Sequence, residues 1–155
     1  MLIAYWHFSF TVSDIERSVD FYTRIVGMEL VHRQEQHNEY TARLVAFENA
    51  HLKVAQLMIP GMHKQRSGHL LELVEYVQPQ CAPTDTATCR AGSAHLAFQV
   101  QDAWAKYRRM KDLGVRFKSD PNAITAGINK GGYACYFLDP DDITLELLQA
   151  PPTPR

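Results

Sequence analysis

Two stretches of the chain alternate between apolar and polar residues and share one pattern. Residues 7–14 are HFSFTVSD and residues 95–102 are HLAFQVQD, so His, Phe, Val and Asp recur in the order His-x-x-Phe-x-Val-x-Asp. Alternation of this kind predicts a half-buried β-strand, and each closing Asp stands where a helical spacing of apolar residues begins. We therefore predict two copies of a strand followed by a helix.

The first copy predicts a strand over residues 5–12 that turns alternate apolar residues toward the core. These core residues are Trp6, Phe8, Phe10 and Val12. Ser13 begins a capping box with Glu16, in which the Ser13 hydroxyl caps the helix and Gly27 ends it. Further strands are predicted over residues 28–33, 51–59 and 68–77. Tyr40, Leu44 and Phe47 fit a short helix between the first two of these strands.

The second copy repeats this order. Its predicted elements are a strand at 95–100, a helix capped by Asp102 and ended by Gly114, the start of a strand at 115–117, a loop at 120–132, a strand at 133–138, a turn at 139–142 and a closing strand at 143–149. Each half therefore follows the order βαβββ, and the predicted fold class is α+β. The two modules span residues 5–77 and 93–149, and the Pro- and Thr-containing stretch 78–92 is predicted to link them.

Length, composition and charge exclude several classes of protein. The 155 residues suit one domain, and 46% hydrophobic with 21% charged residues is an ordinary globular composition. A formal net charge of -1 provides no basic field for nucleic acid or an anionic membrane. The apolar start, residues 1–10, lacks a basic leader pattern and is too short to span a bilayer. Three cysteines without a leader favour a reduced, cytoplasmic protein.

A carboxylate also recurs in the two halves. Glu72 lies between Leu71 and Leu73, and Glu146 lies between Leu145 and Leu147. If the leucines pack inward, each carboxylate faces the opposite side of its strand, where a buried charge needs a partner. His7, Glu72, His95 and Glu146 converging on one cation would meet that need. The alternative is that both carboxylates are solvated on an outer face.

Two neighbouring residues compete with this set in the first half. Glu75 lies three positions from Glu72 in the sequence, so the two carboxylates occupy opposite faces of one strand. Repeat symmetry selects Glu72 as the ligand. His69 shares the face of Glu75 and is interpreted as peripheral to the site.

These motifs resemble the vicinal oxygen chelate superfamily, which includes glyoxalase I, methylmalonyl-CoA epimerase, extradiol dioxygenases and bleomycin-resistance-type proteins. The resemblance is carried by HFSFTVSDIERSVDFYTRIVGMEL at residues 7–30 and by the Asp139-Pro140-Asp141 turn before the closing strand. Asp142 departs from the family, in which Gly is usual at this place in the turn. The resemblance implies one glyoxalase-like domain over residues 1–155, whose paired modules curl into a cupped mixed sheet with the helices outside.

The resemblance also implies the chemistry of the site. The family's ligand positions fall on the same four residues, His7, Glu72, His95 and Glu146. The bound ion would be Zn or Ni by analogy, with Co, Mn and Fe(II) also compatible with two imidazoles and two carboxylates. The expected reaction is a lyase or isomerase reaction on a small substrate that chelates the metal through adjacent oxygens and loses a proton next to a carbonyl.

The resemblance further implies roles for single residues, an oligomeric state and two alternative functions. Glu146 is the leading candidate for the base and Glu72 the second, while Ser9 and Tyr133 are assigned to substrate binding. We expect a homodimer, with the site formed within one chain or across two. An Fe(II) extradiol-type dioxygenase is one alternative, although Glu72 as a fourth ligand argues against it. A non-enzymatic drug-binding protein is the other, and it needs no metal ligands.

Overall fold

The described part of the structure consists of two compact units. The structure is a computed structural model, and it describes residues 1, 3, 5–62 and 70–152. The units are Met1–Pro83 and Thr84–Arg155. No helix among the described residues has the length and hydropathy needed to cross a bilayer.

The first unit contains one mixed sheet. Its elements are β1 (Phe8–Thr11), α1 (Ile15–Asp20), β2 (Glu29–Gln36), α2 (Glu39–Val45), β3 (His51–Met58) and β4 (Leu71–Gln78). A π-helical turn, Phe21–Val26, continues α1 and ends at Gly27, whose φ of 98° is accessible to a residue without a Cβ. The strand order is β1-β4-β3-β2, with β1 parallel to β4 and the other neighbours antiparallel.

The second unit repeats the same topology. Its elements are β5 (His95–Gln99), α3 (Ala103–Asp112), β6 (Asn122–Ala123), β7 (Tyr133–Leu138) and β8 (Thr144–Gln149). The strand order is β5-β8-β7-β6, and β5 is again parallel to the last strand. The α+β class and the two βαβββ modules are therefore confirmed, with α2 inserted in the first module.

The helix caps correct one detail of the predicted first helix. Asp14, not Ser13, is the N-cap, because the Asp14 carboxylate accepts the backbone N–H groups of Glu16 and Arg17. The Ser13 hydroxyl instead accepts from the Arg17 guanidinium. In the second unit Asp102 caps α3 through the Ala105 N–H, as predicted. The repeated Asp is therefore the capping residue in both modules.

A side chain from the last strand of each sheet binds the first turn of the helix. The Ile15 N–H donates to Glu75 Oε2 at 2.9 Å, and the Ala103 N–H donates to Gln149 Oε1 at 2.8 Å. Both donors belong to the backbone groups that a helix leaves without a partner inside the helix. Glu75 and Gln149 thus attach equivalent helices to one face of their sheets.

The leucines beside the repeated glutamates form the core of these helix-packed faces. Leu71, Leu73, Leu145 and Leu147 are all at most 1% exposed. In contrast, Trp6 and Phe8 remain 52% and 53% exposed, so the prediction that they are buried in the core is wrong. Phe8 shares the face of its register partner Leu71 but is not covered there. Phe8 lies on the edge strand β1, whereas α1 packs against β3 and β4 farther inside the sheet.

Other boundaries differ from the prediction in the irregular segments. The strand expected from residue 115 is only a bridge between Phe117 and Phe137, flanked by backbone bonds from Lys118 N to Tyr136 O and from Leu138 N to Arg116 O. The loop predicted at 120–132 contains the short strand β6. The second strand extends to Gln36. The residues expected to form one face of α2 are 45% to 65% exposed: Tyr40, Leu44 and Phe47.

The turn before β8 accommodates its unusual residue in a left-handed conformation. Asp142 has φ of 63°, and its N–H donates to the Asp139 carbonyl. This is the conformation that favours glycine, although Asp tolerates it better than most residues. The Asp142 carboxylate also pairs with Arg116. The turn is therefore formed with Asp where the resemblance expects Gly.

Candidate functional site

In the first unit a histidine and a glutamate lie side by side on one face of the sheet. His7 directly precedes β1, and its Nε2 lies 3.6 Å from Oε1 of Glu72 on β4. Gln56 on β3 donates from Nε2 to the other Glu72 oxygen, at 3.2 Å. We call this side of β4, opposite the leucines and α1, the Glu72 face. The Glu72 side chain is 17% exposed, so it is partly shielded from water.

The second unit places the same two residue types in the same positions. His95 opens β5, and its Nε2 lies 3.3 Å from Oε2 of Glu146 on β8. The Glu146 side chain is 14% exposed. We call this side of β8 the Glu146 face. An imidazole nitrogen and a carboxylate oxygen therefore adjoin at equivalent positions of both repeats.

The structure separates the two glutamates of β4 as alternation predicts. Glu72 is opposite Gln56 in the antiparallel ladder, whereas Glu75 is opposite Lys53, whose ammonium lies 3.3 Å from Glu75 Oε1. Since Glu75 also accepts the Ile15 N–H, it is committed to the helix-packed face. His69 lies outside the described residues.

The residues assigned to substrate binding lie on different faces. Ser9 is the register partner of Glu72 across the β1–β4 ladder and lies on the Glu72 face. Tyr133 is opposite Gln149 and alternates with buried Cys135 and Phe137, so it lies on the helix-packed face of the second sheet. The structure therefore groups Ser9 with its histidine–glutamate pair and does not group Tyr133 with the other pair.

Tyr136 is an aromatic residue of the Glu146 face that the sequence does not single out. It is opposite Glu146 in the β7–β8 ladder, and its ring centroid lies 5.2 Å from that of His95. The predicted turn at residues 139–142 would place Leu138 opposite Ile143 and hence Tyr136 opposite Leu145. The observed ladder pairs Leu138 with Thr144 instead, and this shift of one residue brings Tyr136 opposite Glu146.

A third histidine–glutamate contact shows why the repeat matters. His51 Nε2 lies 2.6 Å from Glu35 Oε1, and the His51 ring stacks on His37 with centroids 5.1 Å apart. Nothing in the second module corresponds to this contact among the residues that the structure describes. A histidine–carboxylate contact alone therefore does not mark a site, whereas its recurrence at one register position sets the other two contacts apart.

The donor chemistry of the repeated pairs suits a divalent metal. Each pair offers one imidazole nitrogen and one carboxylate oxygen, which are ligands used by Zn, Ni, Co, Mn and Fe(II). Within residues 1, 3, 5–62 and 70–152, no three His, Cys, Asp or Glu side chains gather as a metal-binding group. Each pair by itself thus supplies two ligands, and the four-residue set stays a prediction.

The comparison with protein families is decisive for the fold. The family model of the glyoxalase/bleomycin resistance protein/dioxygenase superfamily matches residues 5–147. The chain belongs to this superfamily. The resemblance inferred from the repeated strand and the Asp-Pro turn is therefore confirmed, and the superfamily includes proteins with different activities.

Curated relatives of this superfamily member are named for an epimerase and for lyases. The chain is 32% identical over 154 residues to a 2-epi-5-epi-valiolone epimerase from Actinomyces sp., covering 96% of this chain and 80% of the relative. It is 25% identical to a probable lactoylglutathione lyase from Vibrio cholerae, covering 92% and 88%. It is 26% identical to an Arabidopsis thaliana lactoylglutathione lyase, but it spans only 45% of that protein's length.

Solved structures share the fold at low sequence identity. A glyoxalase family protein from Bacillus cereus superposes with a TM-score of 0.79 at 19% identity, over 97% of this chain and 96% of that one. Glyoxalase I from Leishmania major gives 0.63 at 22% identity, over 92% and 84%. The glyoxalase-like fold is thus shown by structure as well as by sequence.

Proposed function

We propose that this glyoxalase superfamily member is a divalent-metal-dependent isomerase or lyase that removes a proton next to a carbonyl of a small oxygen-chelating substrate. The observation that carries the proposal is the recurrence of the pairs His7–Glu72 and His95–Glu146 at 3.6 Å and 3.3 Å. A structural ion pair would not need to recur at the same register in both modules. A ligand set built by duplication would.

The four paired side chains are the proposed metal ligands. Since one module offers two donors, a complete set takes one pair from each module, either of one chain or of two chains in a homodimer. When bound, the ion would act as a Lewis acid that stabilises negative charge on a substrate oxygen. Zn and Ni are the favoured ions, and Co, Mn and Fe remain compatible with these donors.

The surroundings of the two glutamates support Glu146 as the base. Gln56 donates an amide hydrogen to Glu72, which fixes the orientation of that carboxylate. Glu146 receives no side-chain amide hydrogen bond from the described residues. It lies instead beside Tyr136 and is 14% exposed. A partly shielded carboxylate whose orientation no side-chain amide fixes can turn an oxygen toward the substrate carbon and accept its proton.

The same proton removal serves both activities found among the relatives. An epimerase returns a proton to the opposite side of the carbon, which requires a second group able to carry a proton. A lyase of the lactoylglutathione type can return it elsewhere on the same substrate. The epimerase relative is matched over most of its length at 32% identity, so we infer that epimerisation of a hydroxy ketone is the first reaction to assay.

The variant Glu146→Gln tests the proposal by separating metal binding from proton transfer. Glutamine keeps the size of the side chain and one acceptor oxygen, but it removes the charge and the basicity. At matched metal occupancy we expect turnover to fall on the order of 10²–10⁴-fold, the usual contribution of a general base. Metal content is measured by elemental analysis, and turnover is measured on hydroxy ketone substrates and on the methylglyoxal–glutathione adduct.

Gln149→Ala is the matched control, because Gln149 lies on the same strand but faces α3. It should keep its metal and the catalytic rate of the folded protein. A Glu146→Gln variant that is fully active at matched occupancy would remove Glu146 from the base role. Oxygen consumption by the iron-loaded protein would indicate the dioxygenase alternative instead, and drug binding by a metal-free, inactive wild type would indicate the binding-protein alternative.

A further inference from the structure

Lys118 lies in an irregular segment whose backbone follows β7. Its N–H donates to the Tyr136 carbonyl at 2.9 Å, and the preceding residue, Phe117, bridges Phe137. The Phe117 ring packs against Tyr107 of α3, with centroids 4.6 Å apart, so Phe117 faces the helix. Because neighbouring residues of an extended segment point to opposite sides, the side chain of Lys118 is directed to the Glu146 face.

The contacts of the ammonium agree with this direction. Lys118 Nζ donates to the Thr144 hydroxyl at 2.9 Å and lies 5.9 Å from the centre of the Tyr136 ring. Thr144 is the register partner of His95, and Tyr136 is the register partner of Glu146. The cation therefore stands among residues that directly border the second histidine–glutamate pair.

Among the described residues, Lys118 has no acidic partner. Its contacts are a hydroxyl and an aromatic ring, and no carboxylate of the described residues forms an ion pair with it. In contrast, Lys53 and Lys111 each have an acidic partner, Glu75 and Asp120. An ammonium has three hydrogens to donate, and the hydroxyl of Thr144 uses one. The exposed side chain retains the capacity to bind an anion.

We propose that Lys118 binds an anionic group of the ligand, a carboxylate or a phosphate, on the Glu146 face. Lys118 would then select substrates that carry a negative charge in addition to the oxygens near the reacting carbon. The Thr144 hydroxyl and the Tyr136 ring hold the ammonium in position before the ligand arrives, which lowers the entropic cost of binding. The identity of the ligand as a substrate rests on the proposed function, but the anion site itself does not.

The experiment uses the full chain after EDTA treatment, with inorganic phosphate and acetate as probes in separate titrations. Chemical shifts of assigned backbone amides are followed by NMR at low ionic strength. We expect the chemical shifts of the Lys118 and Thr144 amides to change with probe concentration and to reach a plateau. Because the anion would accept a charge-assisted hydrogen bond from Lys118, we expect Lys118→Met to weaken anion binding about tenfold or more. Lys118→Arg should keep the dissociation constant within about threefold of wild type.

Lys106→Met is the matched control, because it removes a lysine from α3 on the other side of the sheet. Saturation by phosphate or by acetate assigns the class of anion. The proposal is overturned if neither probe saturates, if Lys118→Met binds as tightly as wild type, or if Lys106→Met weakens binding equally. The NMR spectrum of each variant reports whether it is folded, so loss of binding is read only from folded protein.

The two proposals can fail separately. Anion binding that depends on Lys118 in a chain that takes up no divalent metal would contradict the proposed function and support the anion site. Metal uptake and turnover that depend on Glu146, without anion binding at Lys118, would support the function and overturn the anion site. In the metal-loaded protein, Lys118→Met should also weaken the binding of 2-phosphoglycolate about tenfold or more relative to the binding of glycolate, since only 2-phosphoglycolate carries the additional phosphate.

Discussion

The two glutamates of β4 offer a direct test of the face assignment. They lie three positions apart in one strand, yet Glu75 accepts the Ile15 N–H at 2.9 Å and the Lys53 ammonium at 3.3 Å, whereas Glu72 contacts His7 and Gln56. We predict that Glu75→Ala destabilises the fold and leaves metal binding intact. We predict that Glu72→Ala impairs metal binding and leaves the stability of the fold nearly unchanged.

The magnitude follows from the contacts of Glu75. A hydrogen bond to a charged acceptor contributes about 1.5–3 kcal/mol, and Ile15, whose N–H would lose its acceptor, is only 2% exposed. The ion pair adds little, about 0–1 kcal/mol, because the Lys53 side chain is 41% exposed. The free energy of unfolding should therefore fall by about 1.5–4 kcal/mol. With a typical urea dependence, the midpoint should fall by about 1 M or more.

The assay is urea unfolding of EDTA-treated protein by circular dichroism, followed by metal analysis of each variant after reloading. Gln149→Ala, the equivalent change in the second module, should lower stability less, because it removes a neutral acceptor, worth about 1 kcal/mol. A Glu75→Ala variant that unfolds at the wild-type midpoint and loses its metal would contradict the assignment of Glu75 to the helix-packed face. A Glu72→Ala variant that keeps a full metal content would contradict the assignment of Glu72 as a ligand.

Two further predictions concern groups outside the proposed ligand set. Burial raises the pKa of the Cys135 thiol to about 11. At mildly alkaline pH a thiol reagent should therefore modify the exposed Cys81 and Cys89 rapidly, and Cys135 only after denaturant is added. Equally rapid reaction of all three cysteines would contradict this prediction. The Arg17 backbone N–H, followed by the Glu16 N–H, lowers the pKa of Asp14 below its ordinary value. The negative charge of Asp14 therefore stabilises the fold above the ordinary Asp pKa, and this stabilisation is lost as the pH falls through the lowered pKa. In thermal melts, the stability advantage of wild type over Asp14→Ser should disappear between about pH 5 and about pH 2.

The sequence alone determined the repeat and the elements built from it. The pattern His-x-x-Phe-x-Val-x-Asp predicts a strand in each half, because side chains of a strand alternate. The helical spacing of apolar residues after each Asp predicts a helix there. The same alternation placed Glu72 and Glu75 on opposite faces of one strand. These inferences need only neighbours along the chain, and they agree with the structure, except that Asp14 and not Ser13 caps the first helix.

Tertiary structure decided what depends on partners distant in sequence. Trp6 and Phe8 have the pattern of core residues, but their exposure follows from the edge position of β1, which alternation cannot reveal. Tyr133 and Tyr136 are equally plausible aromatic residues in the sequence, and only the register with β8 places Tyr136 opposite Glu146.

The position of Lys118 is also decided by tertiary structure and not by local sequence. Its segment has too few paired residues to carry a readable periodicity, and the bridge at Phe117 fixes which way the lysine points. The ladder between β7 and β8 then brings Thr144 and Tyr136 to its ammonium. Local patterns thus determine which residues form strands and helices, whereas register and strand order determine which side chains meet, because those contacts join segments that the sequence keeps apart.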